Sequence, residues 1–362
     1  MWSQNIIIKL ARLVSFAVCF AAFASPQFAQ AESTPEVQAA MSRGLALVTR
    51  AASNWQSNKT CFSCHHQTLP MLAAIEASDA GVAFDQEWLA SQAESTHRYF
   101  EERIDRMKVG KHVDGGSTTV VYGLWALRLA KRPPDETTTA MVTYLLKIQG
   151  TVRLAEGQQP TALKRPEDAR WTTSCRRLPM QGSDVADTVL AILGMRHYAT
   201  DEQQPAVATA SAAALKWLKQ TPLKSQEDRI WRLWGLHHLE NDEEAKQVVR
   251  KAIFSAQRDD GGWPQTDDRD SDAFSTGQTL YVLCKTGTPA ETPAIVRARD
   301  YLLRTQLTDG SWLVKSHVKF KAQRHFENGD PHGEHQFIST AATAWATAGL
   351  AQLISQQSSK AK

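Results

Sequence analysis

The chain reads as all-α, a double ring of six helix pairs, and three observations predict it. Apolar residues recur at helical spacing almost throughout, while the alternation expected of strands is scarce. A unit of one polar amphipathic helix followed by one helix of small and apolar residues recurs six times. Two junctions, one helix pair apart, carry related segments: Gln257-Arg258-Asp259-Asp260-Gly261-Gly262-Trp263 and Gln306-Leu307-Thr308-Asp309-Gly310-Ser311-Trp312.

Taken in order, 35–55 pairs with 66–77, and 85–107, opened by Asp85, pairs with 117–129, opened by Ser117. The third pair is 135–149 with 184–198; Asp135 and Asp184 supply the oxygen acceptors that start helices. The fourth is 205–220 with 227–239. The fifth joins 242–257, which begins with the charged run Asp242-Glu243-Glu244-Ala245-Lys246, to 275–285. The sixth joins 292–306 to 338–353, whose Thr340-Ala341-Ala342-Thr343-Ala344-Trp345-Ala346 suits burial on most of its circumference. Charged first helices outside and apolar second helices inside make one domain over 32–355, with 356–362 as a disordered tail. An open superhelix is the alternative to closure.

The N-terminus carries Lys9 and Arg12, an apolar run from Leu13 to Ala24, and a small-x-small site at Ala29-Gln30-Ala31. That is the pattern of a secretory signal peptide over 1–31, removed on export to the periplasm. Its apolar run is about half of the ~20 residues needed to span a bilayer, and no other stretch comes closer, so the mature chain is expected to lack an integral membrane segment. Cys19 lacks the small residue next to it that a lipid-modified cysteine wants. The net charge of +3 falls to +1 once Lys9 and Arg12 are gone, and no basic block marks a nucleic-acid partner. The mature chain keeps Cys61, Cys64, Cys175 and Cys284, among which a Cys175–Cys284 disulfide is one option.

Cys61-Phe62-Ser63-Cys64-His65 is the order required for covalent haem attachment: two thiols for the two vinyl groups of one porphyrin, and an adjacent imidazole for the iron. Haem c is the expected cofactor, with Cys61 and Cys64 as attachment residues and His65 as the proximal iron ligand. Distal candidates are Met71, His332 and His335, with Met107 and His112 behind them. Zinc is the alternative, held by Cys61, Cys64, His65 or His66, and one of Asp272 or His335. A local Cys61–Cys64 disulfide is the third reading.

The two Gln…Gly-x-Trp segments resemble the repeat motif of squalene-hopene cyclases and the related prenyltransferase α/α toroids. Degenerate copies stand at Gln149 with Trp171, and at Gln220, which lacks the Gly-x-Trp. The resemblance implies an α6/α6 toroid in which the Gln amide, the loop backbone and the indole tie neighbouring repeats. It also implies a functional rim at the N-termini of the inner helices, where helix dipoles favour anions. His65, His66, Gln67, Asp114, Asp184, Asp187, Asp228, Asp270, Asp272, His332, Glu334 and His335 fall there. Hopene cyclases protonate an alkene with an Asp-x-Asp-Asp-Thr acid. Asp184-Val185-Ala186-Asp187-Thr188 has Ala186 in the donor slot, and Asp270-Ser271-Asp272-Ala273 keeps the middle Asp, so Asp272 is the better donor, with Asp270 and Asp187 behind it. The implied guest is an apolar or isoprenoid-like small molecule, and haem would add a redox partner.

Overall fold

The structure is a computed structural model that describes residues 26–151, 169–173, 182–240, 242–317 and 327–360. Most of the expected signal peptide, Cys19 and Cys175 lie outside these residues. The helices run in pairs. α1 (Pro26–Asn58) precedes α2 (Leu69–Asp79), which is entered through a π-helical turn, Cys64–Thr68. Then come α3 (Gln86–Glu101), the short α4 (Ile104–Lys108) and α5 (Gly116–Leu129). α6 (Glu136–Ile148) leads to α7 (Asp184–Tyr198), and α8 (Gln204–Gln220) to α9 (Gln226–Gly235), which continues as a second π turn, Leu236–Glu240. α10 (Glu243–Ser255) is followed by α11 (Ala273–Lys285), and α12 (Pro293–Thr305) by α13 (Gln336–Lys360).

The second helices form the inner ring. α2 packs on α5, then α5 on α7, α7 on α9, α9 on α11, α11 on α13, and α13 returns to α2. The ring is therefore closed. Outside it, α8, α10 and α12 lie over α7, α9 and α11, and α1 lies over α13. This is the all-α, α6/α6 toroid that the repeat predicts.

The Gln-Trp segments are its fasteners. The Gln306 amide donates to Gly310 O in its own loop (3.0 Å) and to Ala40 O on α1 (2.9 Å), so it joins the last outer helix to the first. Gln257 does the same to Gly261 O and to Ala294 O on α12, and Gln149 to Ala169 O and to Ala210 O on α8. Each following Trp is buried and sends its indole N–H back to the outer helix: Trp171 to Leu145 O, Trp263 to Ile253 O, Trp312 to Leu302 O. Each Trp backbone N–H is accepted by an inner-helix threonine, Thr188, Thr276 or Thr343. The pair Gln149 and Trp171 is thus a full copy, whereas Gln220 is exposed and ties nothing among the described residues.

Three expectations are corrected. The helix read over 85–107 breaks after α3, where Arg103 leaves helical geometry (φ −120°) and lays its guanidinium 3.8 Å from the Tyr99 ring centre. α13 does not end near Ile354 but runs to Lys360 through most of the segment read as a tail. Gln356 explains the extension, since its side chain bonds Ala290 N, Cys284 O and Thr288 O. A helix long enough to span a bilayer does exist, Gly333–Ser358, and its most apolar 18-residue window has a mean hydropathy of 1.2. Its apolar window is wholly buried, packed between α1, α2 and α11, as befits a core helix.

α11 and α13 meet at glycines. A Cβ on Gly277 would stand 2.5 Å from Ala346 N, and one on Gly349 2.8 Å from Gly277 O, so the two backbones touch. At the C-terminal ends of the inner ring, α2, α5 and α11 stop through the same left-handed turn, closed by Val82 N to Ala77 O, Arg132 N to Leu127 O and Thr288 N to Leu283 O. Glycine holds the left-handed position after α2 (Gly81, φ 89°) and α11 (Gly287, φ 95°); after α5 it is Lys131, φ 55°.

Candidate functional site

Hydrogen bonds stitch the N-terminal ends of the inner helices into one rim. Ser117 on α5 donates to Asp187 on α7, Ser183 to Asp228 on α9, and Gln226 N to Gln265 O in the loop before α11. The Cys61 to His66 segment enters this rim from the first repeat. Ser63 caps the π turn, accepting from His66 N (3.3 Å), while Gln67 Oε1 accepts from Ser63 N (2.8 Å). Trp55 on α1 donates its indole N–H to Cys61 O (2.8 Å) and stacks on His66 with ring centres 4.7 Å apart. Cys61 is exposed, whereas Cys64 and His65 are buried. His65 lies against Trp55, His66 and Phe337, with Cys64 Sγ 3.7 Å from its Nδ1.

His66 sets the register of this turn. Its Nε2 lies 2.7 Å from Asp330 Oδ2, and Asn328 Nδ2 reaches both Asp330 Oδ2 (3.1 Å) and Ala51 O on α1 (3.2 Å). Thr68 Oγ1 at the end of the turn donates to Tyr122 O on α5 (3.0 Å). The motif is therefore bound to the first, second and last repeats at once.

Two thiols and an imidazole within five residues suit covalently held haem by the chemistry of the donor set. The distal candidates are differently engaged. Met71 is buried in an apolar cluster with Ala93 and Ala126. His332 Nε2 pairs with Ser311 Oγ at 2.7 Å, and His335 Nδ1 accepts from Ser316 N at 3.2 Å. Met107 is buried in the main core, and His112 pairs with Asp114, 3.4 Å away. The four-ligand zinc set does not assemble: among the described residues no three His, Cys, Asp or Glu side chains come together as a metal site. Cys284 is buried on α11, and its proposed partner Cys175 is outside the described residues.

The rim carboxylates divide into caps and proton holders. Asp272 caps α11, accepting from Ser275 N (2.9 Å) and from the Gln265 amide, and burial raises it to about 6. Asp228 sits in the capping box of α9 and Asp184 is bound by Arg170 Nε and Thr173 N. Asp270, Asp114 and Glu334 are exposed. Asp187 is buried; desolvation lifts it to about 7 against the hydrogen bonds it accepts from Thr118 (2.6 Å) and Ser117 (3.1 Å).

A further raised carboxyl is one the sequence did not single out, Glu227. Burial first, then the charges of Asp228 and Asp187, push it well above the carboxylate range. With Gln278 and Arg269 it lines a rim cavity of about 70 Å³. Arg269 Nη1 is buried there without an acceptor among the described residues. Further along the inner helices, aromatics from four of them pack together: Trp125, Trp231, Trp234, Tyr281 and Trp345, with successive ring centres 5.5 to 6.0 Å apart.

No protein-family model and no curated protein matches the sequence. Among solved structures, the chain is similar to the type II terpene cyclase MstE from Scytonema, in a variant determined in complex with geranylgeranyl dihydroxybenzoate as substrate. The similarity spans 90% of this chain and 99% of that one, at 11% identity and a TM-score of 0.49.

Proposed function

We propose that this chain is an exported, periplasmic α/α toroid carrying one haem attached through Cys61 and Cys64, with His65 as an iron ligand. The observation that carries the reading is the grouping of two thiols and an imidazole in attachment order at the rim, Cys61 in the loop and Cys64 and His65 on the π turn that follows it. When bound, the group would supply one-electron chemistry, to a redox partner or to an apolar guest. The chain's own residues hold and orient. Asp330 and Trp55 fix His66, and that fixes the adjacent His65; Phe337 and Trp55 keep water from the imidazole. With Cys64 and His65 buried under these rings, attachment would precede closure of the first repeat on the last.

Expression with haem-maturation machinery tests this. Full-length protein should gain the mass of one haem and show a Soret band, and Cys64→Ala should lose the covalent mass. Absence of both from the wild-type protein sinks the reading.

A second reading rests on Glu227 and Asp187, carboxyls that burial raises above their ordinary range, with the Phe274 ring beside Glu227 in its cavity. A proton passed from such a carboxyl to an alkene carbon leaves a carboxylate and a carbocation, which an aromatic face such as Phe274 can stabilise until a proton is lost again. On this reading Glu227, rather than the cap Asp272, is the donor, with an isoprenoid-like guest. Product analysis after incubation with squalene decides it: a cyclic product lost in Glu227→Gln and kept in Asp272→Asn supports the assignment, and no product from wild-type protein removes it.

A further inference from the structure

The opposite rim, at the C-terminal ends of the inner helices, holds a larger cavity of about 260 Å³ to which α2, α5, α7 and α9 all contribute. Its body is apolar, with Trp125, Leu193 and Trp234 only partly buried where they line it. Its mouth is cationic. Arg128 and Lys131 line it, both are exposed, and neither head has a carboxylate partner among the described residues.

Lys131 draws attention by its backbone. The equivalent turns after α2 and α11 put glycine in the left-handed position, whereas α5 keeps a lysine there at φ 55°. Residues held in sparsely populated backbone conformations cluster at ligand sites. The neighbouring titratable groups do not offset these two cations. Lys285 is already paired with Glu76 (2.9 Å), itself bonded to Tyr281 and Gln352. His238, against Trp234, is pushed down to about 4 by burial, then by His237 and the Arg128 and Lys285 charges. The carbonyls ending α5 are taken up by the left-handed turn, which leaves the cations to set the sign of the mouth.

We propose that this cavity binds one small amphipathic anion, of the size and chemistry of a medium-chain carboxylate, with its head on Arg128 and Lys131 and its chain on Leu193, Trp125 and Trp234. Small-molecule sites span about 300–1,000 Å³, so a cavity near the lower limit takes a single short chain and excludes a two-chain lipid. The site lies at the other end of the inner helices from Cys61 to His65 and from Glu227. It deepens the reading of an apolar guest but does not depend on haem or on acid chemistry.

Titration calorimetry with octanoate, decanoate, decanol and decyltrimethylammonium, on full-length protein with haem and on the Cys61→Ala/Cys64→Ala variant, tests it. One decanoate should bind per chain in both forms, decanol at least tenfold more weakly, and the ammonium compound not at all. Arg128→Glu/Lys131→Glu, two exposed substitutions that leave the core intact, should weaken decanoate tenfold or more and leave decanol unchanged. Leu193→Trp should abolish both. Equal binding of decanol and decanoate, indifference to charge reversal, or no binding overturns the proposal. Co-sedimentation with phosphatidylglycerol vesicles that is lost in the charge-reversed variant would also overturn it, by assigning the cations to a lipid surface.

Discussion

His66 Nε2 and Asp330 Oδ2 lie 2.7 Å apart with both side chains buried, although 264 residues separate them in the chain. The pair joins the first repeat to the last across the seam where the ring closes. Removing one member leaves the other buried without its partner, which costs about 2–4 kcal/mol. Asp330→Ala and His66→Ala should each lower the free energy of unfolding by that order, and the double variant by clearly less than their sum. Urea unfolding of the four proteins measures the coupling; strict additivity would mean that the pair does not act as a unit.

The same seam is held on the outer layer by Gln306, whose amide spans Gly310 O and Ala40 O. Gln306→Ala leaves both carbonyls short of a donor and should cost about 1–3 kcal/mol. Gln220 occupies the corresponding place at the end of α8 but is exposed. Gln220→Ala should stay within about 0.5 kcal/mol of the parent protein. Thermal melts of the two variants side by side check the contrast, and equal losses would deny the fastening role.

What was legible in the sequence was what repeats. The helical period, the polar and apolar partners of each pair, and the Gln149, Gln257 and Gln306 copies all recur, so each instance supports the others, and the toroid follows. The site is less legible because its residues are singular. Asp184, Asp228 and Asp272 look alike in sequence as acids at helix starts, yet each is occupied by capping or an ion pair. Glu227 stands beside a capping residue and carries no pattern of its own; only the ring, which brings Asp187 of α7 near it, reveals the raised carboxyl. Lys131 likewise becomes unusual only beside Gly81 and Gly287. Asp330 falls just before the last inner helix and far from His66, a separation no local spacing can bridge.

Close contact of α11 with α13 makes a further prediction. A methyl on Gly277 would press on Ala346 N, Trp345 C and Ala346 Cα, all backbone atoms that no rotamer change can move. Gly277→Ala should therefore force the helices apart and cost about 1–3 kcal/mol. Gly287→Ala meets nothing within 4 Å and bears only the left-handed backbone, φ 95°. Its cost should be about 1 kcal/mol. Chemical denaturation of both variants tests the order, and Gly277→Ala as stable as the parent would contradict the contact.

Asp187 makes the stability of the fold depend on pH in an unusual direction. Its folded-state value is raised to about 7 by burial, from 3.8. Between those values the folded protein keeps a proton that the unfolded chain has released, so the folded state binds more protons and stability falls as pH rises. This contribution is fully present below about pH 4, is lost progressively up to about pH 7, and is flat above it; within that window the loss approaches about 1.4 kcal/mol for each pH unit. Glu227, also raised, acts in the same sense. Asp187→Asn keeps an oxygen to accept from Thr118 and Ser117 without a titrating proton. The variant should therefore show a shallower decline of unfolding free energy between pH 5 and 7, measured in urea, and should match or exceed the parent above pH 7. Identical pH profiles for variant and parent would show that Asp187 is ionised in the folded ring.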